Sequence, residues 1–135
     1  MIKISSLLSQ WGTWLRLHPT SEFATPPAGM RRPKVVDTSP PPCTEIEAAM
    51  LSEIITSLKR QGQHKEAELI LRHYAYGESK SAIARKWKCS EARIRQILQN
   101  IESFVAGMIF ATQDAYQKND FYHEEKGVTV RVEKK

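Results

Sequence analysis

All seven prolines of this chain lie between Pro19 and Pro42, and that placement decides where regular structure can form. Proline lacks a backbone N–H and clashes with the preceding helical turn, so no helix can run through PTSEFATPPAGMRRPKVVDTSPPPC. Residues 19–43 therefore read as an extended, partly polyproline-like connector, ordered only where it docks. Residues 1–18 hold one short helix, roughly Ile4 to Leu17. Residues 44–117 are free of proline and read as a helical domain. Residues 118–135 form a polar tail in which GVTVRV alternates as a short edge strand would. The expected fold class is all-α, a small helical domain preceded by a short helix and a proline-rich basic connector.

Within the domain, Thr44 and Glu47 have the spacing of a capping box, and Ile46, Met50, Ile54 and Leu58 follow at helical intervals. Gly62 supplies a stop. A second helix carries Ala67, Ile70, Leu71 and Tyr74 on one side and ends at Gly77. A third, short helix runs from about Ser79 to Trp87. Ser90 caps a fourth, long helix reaching about Gln117, with an apolar stripe of Ile94, Ile97, Leu98, Ile101, Phe104, Val105 and Met108. Gly107 lies in that stripe and marks either a close contact or a bend.

The net charge of +5 is unevenly spread. Residues 1–43 carry a net +3 and residues 78–96 a net +4, while 44–77 and 97–135 are each at −1. Such clustering suits a polyanionic partner. The second basic window coincides with SKSAIARKWKCSEARIRQIL, whose pattern is that of a helix-turn-helix over residues 79–100. Ile83 and Ala84 belong to its first helix, and Trp87 faces the core before a Lys88–Cys89 turn. Ile94 and Leu98 bury the inner face of its second helix. Glu91, Ala92, Arg95, Gln96 and Gln99 are then left to face base edges, where arginine pairs with guanine and glutamine with adenine. Lys80, Arg85, Lys86, Lys88 and Arg93 surround that face as phosphate contacts, and Ser90 completes the set. Lysine at the turn is unusual, because asparagine or glycine adopts a positive φ at lower cost. The turn is accordingly expected to differ slightly in geometry. The alternative is an ordinary surface helix with solvated charges.

The block AELILRHYAYGESKSAIARKWKCSEARIRQIL resembles region 4 of bacterial sigma factors, with Arg93-Ile94-Arg95-Gln96-Ile97 as its characteristic string. That resemblance makes Glu91, Ala92, Arg95 and Gln96 the base-facing positions. Glu91 and Ala92 depart from the residues usual in that family, so the −35 promoter sequence need not be the target. A second resemblance spans roughly residues 5–117. LLSQWGTWLR, the basic proline connector, HYAYG before the helix-turn-helix and ESFVAGM after it are together similar to the phage antitermination protein Q family. The resemblance implies a phage or prophage late-gene regulator in the host bacterial cytoplasm. It would bind double-stranded DNA near a late promoter and load onto paused RNA polymerase, together with its sigma factor. It would then make that polymerase resistant to pauses and terminators. Some members of the wider group carry a CxxC zinc module, which this chain lacks, so no metal is carried over.

Two readings compete with this one: an operator-binding repressor or activator, and a polymerase- or sigma-binding protein without DNA specificity. Three further features do not decide among them. Trp11 and Trp14 either pack on the long fourth helix or contact polymerase or a second protomer. Phe104, Val105, Met108, Ile109 and Phe110 allow docking of the N-terminal helix or self-association. Arg31, Arg32 and Lys34 are either a flexible phosphate clamp or a solubilising charge. Cys43 and Cys89 are too far apart for a metal or disulfide motif, and His18, His64, His73 and His123 show no ligand spacing. His73 reads as a helix-surface residue. There is no phosphate loop, GxSxG or HExxH, so neither a cofactor nor catalysis is expected. The apolar runs are too short and too interrupted to span a membrane, and the N-terminus does not read as a secretory signal.

Overall fold

The computed structural model describes residues 3–31 and 33–126, with side chains to Ala111. Arg32 and the GVTVRV segment lie outside the described residues. Five α-helices follow in order: α1 (Ile4–Leu17), α2 (Glu45–Arg60), α3 (His64–Ile70), α4 (Lys80–Trp87) and α5 (Glu91–Lys126). A π-helical segment, Leu71–Ala75, continues directly from α3. No strand occurs among the described residues, and the class is all-α. The chain divides into two compact units, Met1–Val105 and Ala106–Lys135.

In the first unit, α1 buries Leu7, Leu8, Trp11 and Leu15 at helical spacing. It packs chiefly on the π segment and also on α2, rather than on the long helix named as one alternative above. The reason is Gly12. A Cβ on that residue would stand 2.1 Å from the Tyr74 carbonyl oxygen, so only glycine lets the two backbones approach this closely. Beside it, the Arg16 guanidinium donates to the same carbonyl at 3.3 Å. Trp14 is half-buried and stacks on His18, with ring centroids 4.0 Å apart.

The connector is anchored at both ends. Phe23 sits at φ 72°, meets Trp11 edge-on and lies under the Lys59 ammonium. The Tyr76 hydroxyl donates to the carbonyls of Phe23 and Thr25, and the Cys43 N–H donates to the Gln10 carbonyl. Cys43 is buried, and desolvation, then the nearby Glu47 carboxylate, push its thiol pKa up to about 11.

The capping box opens α2 as expected: the Glu47 N–H donates to Thr44 Oγ1 and the Thr44 N–H to Glu47 Oε1. Its buried stripe, however, is Ala48, Leu51, Ile54, Ile55 and Leu58; Ile46 is 64% exposed and Met50 only partly covered. Steps of four residues advance about 40° around a helix, so Ile46 and Leu58 lie about 120° apart and cannot share one face. Gly62 at φ 85° ends the helix.

In α5, Ile94, Leu98, Ile101 and Val105 are buried, whereas Ile97 is half-buried and Phe104 is 39% exposed. Described by itself, the second unit begins with the distal part of α5, where Ile109 is buried and Met108 and Phe110 are exposed. The helix runs to Lys126, past the Gln117 end expected from the sequence. Among the described residues, a Cβ added at Gly107 would meet no atom within 4 Å, so this glycine marks no close contact there.

Gly12→Ala should therefore destabilise the protein by about 2–3 kcal/mol in thermal or denaturant melting, since backbone atoms must move to admit the methyl. Gly107→Ala, in open helix, should instead gain up to about 1 kcal/mol. An unchanged melting curve for Gly12→Ala would mean that α1 does not seat on the Tyr74 carbonyl.

Candidate nucleic-acid interface

Ser79 opens α4, its hydroxyl accepting the Ala82 N–H at 3.1 Å. Ile83 and Ala84 are buried as expected, whereas Trp87 is only half-buried and lies under the Lys65 ammonium, 5.8 Å from the ring centroid. Lys88 takes the left-handed conformation, φ 57° and ψ 47°, and the Cys89 N–H returns to the Ala84 carbonyl. The turn thus keeps a glycine-like geometry despite its lysine, at the cost of backbone strain. Ser90 then caps α5, accepting the Arg93 N–H at 3.1 Å.

At about 100° per residue, Ile94, Leu98, Ile101 and Val105 occupy a sector of about 60° on α5. Glu91, Ala92, Arg95, Gln96 and Gln99 occupy a sector of about 140° whose centre lies about 120° around the helix from that stripe. All five are exposed. Ser90, Arg85, Lys86, Lys88 and Arg93 are exposed too, and Lys80 is half-exposed. Arg93 lies away from the outward face and lines a groove of about 330 Å³ with Glu66, Ile97 and Phe104.

Two of the cations are not free. Arg95 donates to Glu91 Oε2 at 2.6 Å along one helical turn; both side chains are about half exposed, so the pair is weak and easily exchanged. Lys86 binds Glu78, which also takes Arg72 at 3.0 Å, and Arg72 in turn holds Glu68 at 2.6 Å. Burial alone would raise the Glu78 pKa, but the hydrogen bonds from Lys86 and Arg72 outweigh it and hold the carboxyl below its ordinary value. Charge counting along the sequence did not reveal this chain of charges, because Glu78 and Lys86 sit on different elements. The opposite-sign residues at four- and six-residue spacing around Arg72 were the available signal.

Tyr74 links the same region to α5, donating to Glu102 Oε2 at 2.5 Å; desolvation first, then this carboxylate, raises its pKa. His73 is not a plain surface residue: it is half-buried, meets Tyr74 edge-on, and its Nδ1 donates to the Glu78 carbonyl at 2.9 Å. Among the described residues no three metal-ligating side chains come together, and no helix is long and apolar enough to cross a membrane.

The geometry defines a small all-α protein that exposes an amide-bearing helix face beginning at a capped turn, with exposed cations on the turn and the preceding helix. The family model described as phage antitermination protein Q matches residues 1–116, and the chain belongs to that family. It is 30% identical over 112 residues to the "Probable antitermination protein Q" of Acyrthosiphon pisum secondary endosymbiont phage 1, covering 78% of this chain and 73% of the relative. It is also 30% identical over 113 residues to the antitermination protein Q of Escherichia phage 933W and to that of Enterobacteria phage VT2-Sa, covering 81% of this chain and 76% of each relative. No solved structure matches. The chain is thus a phage transcription antiterminator, and its family is one of regulatory factors rather than enzymes.

Two substitutions test the local physics. Lys88→Gly should stabilise the fold by up to about 1 kcal/mol, the relief of left-handed strain being partly offset by glycine's larger unfolded entropy. Destabilisation would show that the turn does not hold a positive φ. Glu78→Gln should lower the melting temperature at neutral pH. Because the Glu78 pKa is depressed in the folded state, its stabilisation is full above the ordinary carboxylate range and is lost as pH falls through the folded value. The gap between parent and variant should therefore close in acid, and a gap independent of pH would mean that Glu78 does not act through its charge.

Proposed function

We infer that this antiterminator binds double-stranded DNA near a phage late promoter through α4, the Lys88 turn and the first three turns of α5, used as a helix-turn-helix. Glu91, Ala92, Arg95, Gln96 and Gln99 face the bases, and Lys80, Arg85 and Lys88 contact phosphates. Ser90 fixes the start of the reading helix. From that site the protein loads onto paused bacterial RNA polymerase, next to its sigma factor, and makes the enzyme resistant to pauses and terminators in the host cytoplasm. The observation that carries the reading is the exposure of the five outward residues, all clear of the buried stripe of α5, in a chain of the antitermination protein Q family. A major-groove helix must bury one side on its own domain and offer the other, at its N-terminal end, to base edges.

Transcription by purified bacterial RNA polymerase decides between this reading and an operator-bound regulator. On a template carrying the promoter region downstream of the protein's own gene, followed by a terminator, the protein should produce read-through, and only on that template. A change in initiation without read-through would point to a repressor or activator. Arg95→Ala should weaken specific DNA binding by about 1–3 kcal/mol while leaving the helical fold intact. Full site affinity in that variant would remove Arg95 from the reading face.

A further inference from the structure

We propose that the proline connector carries a second phosphate-binding element, Arg31 and Lys34, held beside the start of α4 so that it grips the DNA backbone outside the helix-turn-helix. The proposal rests on the DNA-binding reading above. Its basis is the contact between Pro33 and Gly77. A Cβ on Gly77 would lie 3.0 Å from Pro33 Cγ, and Gly77 itself stands at φ 73°, so the proline ring closes over a residue that has neither side chain nor ordinary backbone geometry. Arg31 and Lys34 flank Pro33 by two residues and one, which keeps both Cα atoms within about 8 Å of the proline's. Gly77 leads into α4 with two residues between it and Lys80.

The contact is held from both sides. Upstream, the Tyr76 hydroxyl donates to the Phe23 and Thr25 carbonyls; downstream, the Cys43 N–H donates to the Gln10 carbonyl. The first basic window, residues 1–43, is thereby brought to the residue immediately before the second, residues 78–96, although a net-acidic stretch separates them along the chain. Near α4 the domain's own cations are partly consumed, since Glu78 holds both Arg72 and Lys86. Arg31 and Lys34 are exposed, and among the described residues neither has an acidic partner. In a helix-turn-helix the first helix crosses the phosphate backbone. Cations tethered to the lead-in of that helix therefore stand over the strand it crosses.

The test uses the full chain, the duplex containing the promoter region downstream of its gene, and a random-sequence duplex of equal length. Affinity is measured by anisotropy between about 50 and 200 mM salt. The Arg31→Ala/Lys34→Ala double variant should melt as the parent does. It should bind both duplexes on the order of tenfold more weakly, with a salt slope shallower by roughly one to two. The ratio of the two affinities should stay as it is, because phosphate contacts carry no sequence information. Tyr76→Phe, which keeps every charge but releases the connector, should show part of the same loss. An unchanged slope in the double variant overturns the proposal while leaving the helix-turn-helix reading intact, and parental affinity in Tyr76→Phe overturns the tethering. Lost read-through with an unchanged slope would assign the two cations to a protein partner, and so also overturn it. A parent that binds neither duplex sinks the DNA-binding reading itself, and this element with it.

Discussion

The close seating of Gly12 on the Tyr74 carbonyl is the constraint around which the first unit is built. Tyr74 lies in the π segment, near the end of a helix whose last carbonyls have no intrahelical partner. Its oxygen receives the Arg16 guanidinium, and its hydroxyl reaches Glu102 of α5. One residue thus joins α1 and the long helix, while Tyr76, two positions on, holds the connector. The extra residue that a π turn inserts permits this division of labour. It rotates the chain beyond Leu71, so that Leu69, Ile70, Leu71 and Ala75 are all buried while two tyrosine hydroxyls reach two different partners. The WGTW and HYAYG strings, about sixty residues apart in the chain, are the two halves of one joint.

The sequence showed much of this, for reasons that differ from element to element. Proline exclusion marked the connector, and the capping box and the Ser90 cap gave correct helix starts because caps act through local hydrogen bonds. Gly62 and Gly77 ended helices because their conformations are local as well. The reading was poorer wherever a face had to be chosen. Ile46 and Phe104 were assigned to buried stripes and are exposed, since an apolar residue at the margin of a stripe is covered or not according to the neighbouring element. The destination of α1 was also hidden: composition shows that Trp11 must find cover, and only the missing Cβ at Gly12 shows where. For the interface, the outward residues of α5 were legible because α5 is regular and its inner stripe unambiguous. The engagement of Lys86 by Glu78 depends on how α4 approaches the end of the π segment, which no periodicity encodes.

These ion pairs change what the basic surface is. Counted along the sequence, the window of residues 78–96 offers six cations; in the folded protein one of them neutralises Glu78 and another is paired with Glu91. The first pairing is structural. Glu78 is nine-tenths covered, so releasing Lys86 would leave a buried carboxylate with Arg72 alone, at a cost that a single exposed phosphate contact does not recover. Lys86 is therefore a poor phosphate contact, and Arg85 and Lys88 are the better candidates, being exposed and without a carboxylate among the described residues.

The Glu91–Arg95 pair works in the opposite sense, because it is exposed at both ends and worth little in water. In the proposed DNA complex its two members cannot be treated separately. If Arg95 turns to a guanine, Glu91 is left one turn away with its negative charge facing the groove, which is tolerable only beside a cytosine amino group or a bridging water. If Arg95 stays with Glu91, the pair presents a nearly neutral, fixed hydrogen-bonding surface, and Gln96 and Gln99 carry more of the reading. In either case Glu91 sets a penalty on duplexes that offer no donor at its position. Under the proposed reading, an acidic residue on the reading helix acts mainly by rejecting sequences. On the proposed reading this selectivity would work alongside phosphate contacts that attract every duplex equally, a combination that a protein needs if it is to find one promoter region on a long genome.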